Sequence, residues 1–403
     1  MKFSKWSQLF LVSLIGLSVA TLLTSCAIVT IDYVFVASSS GSGTGSAGQI
    51  QTYDADSETG ALRSGAPTVP SGGTDPIAMT ATADYNHLYV VNEGSNNVVH
   101  FAIAGNGVLS QKDVVTTSAT PVAVAVNTAE TYLYVVSGPN PSVLTEYSLS
   151  SGTIGSVVAQ ETLSLPDYAT DTIVPSGVNV LANNGAVFVS TYDSSAYNPG
   201  GTTTSTANPG WVFGYAVGSG GALTPSTNSP YKAGVQPSAL TSDPTNRFVY
   251  VTDFASNEVI GYTIQAGSTL DFLINGPFKT GSEPNAISID PRGKYMYISN
   301  ALSSTVSAYV IDLTTGTPSA AVNVTGSQSN ITDTTPVALV IDPALGRFVY
   351  TANQLGDTVS GFVLNPNTGA LKPTQATPYP VGNQPSALAA VPHGNHSIQT
   401  VNP

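Results

Sequence analysis

Seven prolines, Pro76, Pro121, Pro175, Pro237, Pro284, Pro336 and Pro385, recur at intervals of 45, 54, 62, 47, 52 and 49 residues, and each opens a copy of one unit. After the proline come an alternating apolar stretch, a polar turn and a Tyr/Val-rich stretch ending in Ser, Asp or Asn. A second turn and a short Val-x-x-Tyr/Phe stretch follow. The clearest copies are Pro237-Ser-Ala-Leu-Thr-Ser-Asp-Pro244 with Arg247-Phe-Val-Tyr-Val-Thr-Asp253, and Pro284-Asn-Ala-Ile-Ser-Ile-Asp-Pro291 with Tyr295-Met-Tyr-Ile-Ser-Asn300. Alternation of period two marks strands. A repeat of this length holding four of them is one propeller blade. Each Asp-Pro step sets a rigid φ at the turn between the first two strands, where no ladder bond is lost.

Third strands read Val98-Val-His-Phe101, Val143-Leu-Thr-Glu-Tyr147, Trp211-Val-Phe-Gly-Tyr215, Val259-Ile-Gly-Tyr262, Val306-Ser-Ala-Tyr309 and Val359-Ser-Gly-Phe362. Turns centred on Gly107, Gly152, Gly221, Gly267, Gly316 and Gly369 follow, with Leu109, Leu223 and Leu371 beginning the fourth strand in three of them. The ends complement each other. Ser386-Ala-Leu-Ala-Ala390 is a first strand without a blade, while Tyr33–Ala37, Ile50–Tyr53 and the turn Gly60-Ala-Leu62 are a blade without a first strand. Joining them removes the exposed sheet edges. The expected fold is therefore all-β: a seven-bladed β-propeller of four-stranded antiparallel blades, closed by one C-terminal plus three N-terminal strands. The expected organisation is a signal peptide at 1–25, a short tether at 26–30, the propeller at 31–391 and a tail at 392–403. Two sandwiches would not explain the complementary half-units, and an open solenoid would need caps that are absent.

Composition narrows the chemistry. With 403 residues the chain can bury a large core. One cysteine, four histidines and three methionines leave little for a soft-metal cluster, haem or a redox pair, and no cofactor or resident metal is expected. Eleven basic against 24 acidic residues, a formal charge of -13, argue against nucleic acid as a partner.

Lys2 and Lys5 precede an apolar run from Leu9 to Leu23 that ends in Leu23-Thr24-Ser25-Cys26. This is a targeting segment, to be set aside from the fold. It resembles the bacterial lipoprotein signal, which implies cleavage before Cys26, acylation of its thiol and a lipid bilayer as partner. Ala27 resembles the residue that lets such lipoproteins proceed to the outer membrane, so the implied location is the cell envelope. A plain signal peptide or a single membrane anchor is the alternative, with Cys26 incidental.

The strand units, the Pro-x-Ala openings and turns such as Gly369-Ala-Leu371 resemble the seven-bladed lactonase-like family, which includes 6-phosphogluconolactonase and carboxymuconate-cyclase types. They are also similar to the Tyr-Val-Thr-Asn propeller repeats of prokaryotic surface proteins. The resemblance spans about residues 31–391. It implies the architecture, but its motifs are blade scaffolding, so no catalytic residue is carried over from it.

The loops entering first strands and leaving second strands share one face around the channel. They gather Asn92, Glu93, Ser137, Asn140, Tyr192, Asp193, Asp253, Asn300 and Asn353, with Asp75, Gln236, Glu283 and Gln384 on the incoming loops. Such a polar rim suits a hydroxyl-rich ligand or a cation such as Ca²⁺. Equally, Asn and Asp after a strand can satisfy their own turns. Arg247, Arg292, Arg347 and His87 fall in turns on the opposite face, so no basic cluster marks an anion site. Glu93, Glu146, Glu283 and Asp193 are the candidate bases. The loop Asp193–Gly210 is either a lid, with Tyr192, Tyr197 and Trp211 as contacts, or a solvated excursion. The sequence thus favours a monomeric, exported module binding a glycan, a small polar ligand or an envelope protein through this rim. The alternative is a lactonase-like hydrolase that uses a rim carboxylate as general base.

Overall fold

The computed structural model describes residues 29–39, 41, 45–118, 120–165, 172–195, 209–399 and 401. They form seven antiparallel sheets, one per repeat. Blade one runs Pro76–Ala81, His87–Asn92, Asn97–Ile103 and Leu109–Thr116 from the channel outward. Blade five runs Pro284–Ile289, Tyr295–Asn300 and Thr305–Ile311, with Pro318–Ala320 and Ser329–Ile331 at its outer edge. Blade seven is the closure: Asn383–Pro392 lies innermost, then Thr30–Ser39, Ala47–Asp56 and an edge made of Leu62–Ser64 and Val69–Thr74. Phe35 faces Ala389 across this seam and Val36 faces Leu388. The ring is thus closed by backbone pairing between residues about 350 positions apart in sequence.

Blades three to seven depart from the simple four-strand scheme, because the outer strand is split into two short pieces on the same third strand. Pro230, Pro277 and Pro378 lie at or just before the second piece in three blades and donate no ladder bond. The segment Gly326 to Asp333, between the repeats opened by Pro284 and Pro336, supplies Ser329–Ile331 to the edge of blade five. The tail is also packed: Gly394–Ile398 forms a short 3-10 turn in which His396 is buried.

The glycine turns make the blade-to-blade joints. Gly316 and Gly369 sit at φ of 74° and 72°, the left-handed region that a side chain resists. An added Cβ would lie 2.5 Å from the Phe248 ring at Gly316, and would overlap the Tyr295 ring at Gly369. The glycine of one blade therefore packs under the first aromatic of the preceding blade's second strand. Two residues on, the tyrosine donates to the same glycine's carbonyl: Tyr250 to Gly316 at 2.6 Å, Tyr297 to Gly369 at 2.7 Å and Tyr350 to Gly60 at 2.8 Å. The aromatic-x-Tyr pattern is thus an interblade contact as well as a strand signal. In the turns after the first strands, Arg247 donates to Leu313 O, Arg292 Nη2 to Gly346 O at 2.9 Å and Arg347 Nη2 to Ser57 O at 2.7 Å. These arginines tie neighbouring blades together, as their placement away from the proposed rim required.

Candidate functional site

Register decides which loops meet. Pro284 pairs with Asn300, and Asn300 with Thr305, so the starts of first strands, the ends of second strands and the starts of third strands reach one mouth of the channel. Pro76 and Asn92, Pro237 and Asp253, and Pro336 and Asn353 repeat this arrangement.

At this mouth the residues ending the second strands are buried and already bonded. Asn92 Nδ2 donates to Asn97 Oδ1 at 2.8 Å, and Asn92 Oδ1 accepts from Ser71 Oγ at 2.6 Å. Asn300 Nδ2 reaches Ser307 Oγ at 3.0 Å and Asn353 Nδ2 reaches Ser360 Oγ at 2.9 Å. Asp253 accepts from Val235 N at 2.7 Å and Gln236 N at 3.0 Å, and Asp193 from Ser195 N at 2.8 Å. These five side chains brace their own loops. Tyr192 is half-buried beside them.

Glu93, Asn140 and Glu283 differ. Asn140 is exposed at a φ of 70°. Glu283 is partly exposed, and its backbone N–H donates to Asn257 Oδ1 at 2.7 Å. Glu93 is half-buried, its N–H donating to Asp75 O at 2.9 Å. Burial and the neighbouring Asp75 carboxylate both raise the Glu93 carboxyl above its usual pKa. Asp75 is held by Gly45 N at 2.8 and 3.1 Å.

Of the lid contacts, Trp211 is covered by the Lys232 ammonium, 3.6 Å from the ring centroid. Cys26, Tyr197 and most of the blade-three loop lie outside the described residues. Glu146 is not at the mouth. It is wholly buried in the third strand of blade two, next to Gly221 of blade three.

A roomier apolar cavity lies elsewhere. A space of about 320 Å³ opens at the other mouth, walled by Met79, Thr80, Tyr85, Asn127, Val340 and Leu388 among others, with no charged side chain in its lining. Beside it, between blades seven and one, a space of about 280 Å³ holds Asp84 and His393. Asp84 is committed to its own turn, accepting from Thr82 Oγ1 at 2.6 Å and Asn86 N at 2.9 Å, which holds its pKa low against the cost of burial.

The family described as "Lactonase, 7-bladed beta-propeller" matches residues 34–192 and 220–329. The chain belongs to this family. Among curated proteins, none matches the sequence. Solved structures share the fold. The Pseudomonas aeruginosa periplasmic gluconolactonase PpgL is similar at 19% identity and a TM-score of 0.70, over 90% of this chain and 99% of that one. A Bacteroides fragilis protein named only provisionally as a 6-phosphogluconolactonase aligns at 18% identity and 0.68, covering 90% and 98%. A Lactobacillus plantarum protein aligns at 15% and 0.70, covering 90% and 99%.

For a lactonase-family propeller, the charge of the first mouth is informative. By sequence, none of the segments entering a first strand or leaving a second strand contains Lys or Arg, whereas they carry Asp75, Glu93, Asp167, Asp171, Glu283, Asp333 and Asp357; Lys232 and Lys279 flank two of them, one over the Trp211 ring and the other paired with Glu258 at 3.2 Å. A phosphate or carboxylate on the substrate would meet like charge there. A neutral, hydroxyl-rich ring would not.

Sequence reasoning missed one titratable chain. His100 Nδ1 lies 2.6 Å from Asp113 Oδ1, and His100 Nε2 lies 2.9 Å from His87 Nδ1. His87 occupies the position that Phe248 holds in blade four, and an added Cβ at Gly152 would overlap its ring. Burial lowers the His100 pKa despite the carboxylate. The three come from different strands, so no linear spacing announces them. Their place on the flank between blades makes them part of a joint.

Proposed function

We propose that this protein is an exported lactonase that opens uncharged sugar lactones at the acidic mouth of the channel, with Glu93 as general base. The observation that carries this reading is the Glu93–Asp75 pair: a half-buried carboxyl of raised basicity beside a second carboxylate, on a mouth whose connecting loops carry no Lys or Arg in sequence. Glu93 takes a proton from water as the oxygen adds to the lactone carbonyl carbon. The ring C–O bond then breaks and the proton passes to the departing alkoxide, leaving the hydroxy acid. Family membership supports lactone chemistry over the pure binding module that the sequence favoured. The bracing role of Asn92, Asp193, Asp253, Asn300 and Asn353 also leaves fewer groups for a binding rim.

The test is a comparison of initial rates on an aldonolactone and on its 6-phosphate. The uncharged substrate is expected to show kcat/KM at least about tenfold higher, a difference of about 1.4 kcal/mol. A preference for the phosphorylated ring would overturn the substrate class.

The proposed location is the bacterial envelope, through lipid on Cys26. Cys26→Ala should move the protein from the membrane pellet to the soluble fraction, because each buried CH₂ of an acyl chain contributes about 0.8 kcal/mol to anchoring. Unchanged pelleting would reject the anchor.

A further inference from the structure

We propose that Asp32, Asp342 and His396 bind one divalent transition-metal ion, with Zn²⁺ the best match, that pins the C-terminal turn across the seam where the ring closes. The three come from separate elements: Asp32 from the second strand of blade seven, Asp342 from the turn after the first strand of blade six, and His396 from the turn Gly394–Ile398. The site is independent of the lactonase reading.

The geometry is that of ligands around an ion. His396 Nε2 lies 3.1 Å from Asp342 Oδ1 and 3.5 Å from Asp32 Oδ1, and the ligand atoms all fall within 4.8 Å of one another. A tetrahedral zinc with bonds of about 2.0–2.1 Å sets its ligand atoms about 3.3 Å apart. All three side chains are buried, and both Asp32 oxygens lack any hydrogen-bond partner. A buried carboxylate with no donor is costly unless a cation or a proton meets it.

The imidazole is oriented as a ligand. Its Nδ1 is 2.8 Å from Gln399 Oε1, which can only accept, so Nδ1 carries a hydrogen and Nε2 is aimed at the two carboxylates, as a lone pair when the ring is neutral and as a donor to Asp342 when it is protonated. Arg347, the nearby cation, spends its Nη2 on Ser57 O. Asp342 also accepts from Ala344 N at 3.0 Å and Arg347 N at 3.0 Å, so its own turn fixes it in place. The sequence adds an independent sign. The residue before the second-strand aromatic is Arg247, Lys294 and Arg347 in blades four to six, but Asp32 in blade seven. Two carboxylates and a neutral imidazole balance one dication. A proton is the competing occupant, either on Asp32, whose carboxyl is raised by burial and by Asp342, or on His396 Nε2 between the two carboxylates.

The experiment uses the purified chain stripped with EDTA and dialysed, then titrated with Zn²⁺, with Mn²⁺ and Ca²⁺ in parallel, by calorimetry and thermal unfolding. One Zn²⁺ per chain is expected, with a Tm rise of about 3–4 °C at a hundredfold excess over Kd. His396→Gln should lose this binding. Should that variant fail to fold, Asp32→Asn serves: it removes the orphan charge, so its metal-free Tm is expected to equal or exceed that of the wild type, with no Zn²⁺ response. Absence of saturable binding to the wild type would overturn the proposal and leave a proton in the cluster in place of the metal. Undiminished binding to Asp32→Asn would overturn it by placing the metal elsewhere.

Discussion

Glu93→Gln is expected to lower kcat for lactone opening by about 10²–10⁴-fold, the usual contribution of a positioned general base. KM should change far less, because the amide keeps the shape and the acceptor oxygen of the side chain. In the wild type the rate should rise with pH through a pKa above the ordinary glutamate value, since only the ionised carboxylate accepts the proton of water. Asp75→Asn separates the two carboxylates. Removing the like charge lets Glu93 ionise more readily, so the acidic limb should move to lower pH while the plateau rate stays within a few fold. Stopped-flow or pH-stat assays across this range check both. A Glu93→Gln enzyme retaining full kcat would remove the proposed base, and an unmoved limb in Asp75→Asn would remove the coupling.

The second large effect concerns stability. Glu146 is wholly buried between blades two and three, and burial pushes its carboxyl up to about 7 from 4.5. Neither of its oxygens nor the facing Tyr134 hydroxyl makes a well-formed hydrogen bond. In the equivalent position of blades one, four, five and six the tyrosine donates to a glycine carbonyl, so blade two replaces a satisfied joint with an unsatisfied acid. Because the folded-state pKa is the higher one, the folded protein holds the proton more tightly. No penalty exists below about pH 4.5, it grows as pH rises through 7, and it is complete above that. At pH 8 it amounts to about 3 kcal/mol. Glu146→Gln should therefore stabilise the protein by about that amount at pH 8 and change little at pH 4.5, as read by urea unfolding at the two values. A pH-independent effect would contradict the assignment.

Much of the fold was legible because its signals are local. Proline spacing, period-two alternation and the six turn glycines each reflect a backbone requirement that one residue type meets, and the unmatched strands at the two ends force closure. The split outer strands were less visible: pieces such as Tyr231–Lys232 and Tyr379–Pro380 are too short for any periodicity.

The site was legible only as a face. Asn300 and Asn353 read alike in sequence whether they offer an amide to a ligand or brace a loop, and the deciding partners, Ser307 and Ser360, lie across the hairpin. Glu146 shows the same limit, since its burial depends on Gly221 of the next blade. His396, in a segment expected to be a tail, owes its place to Asp342, more than 50 residues earlier. Contacts of that range leave no spacing to read.

The most direct measurement of the central claim is a crystal structure of the Glu93→Gln variant with an uncharged aldonolactone bound. The account predicts the ring at the acidic mouth, with its carbonyl carbon within reach of a water held by residue 93. A lactone seated instead in the 320 Å³ cavity at the opposite mouth, among Met79, Tyr85 and Leu388, would contradict it.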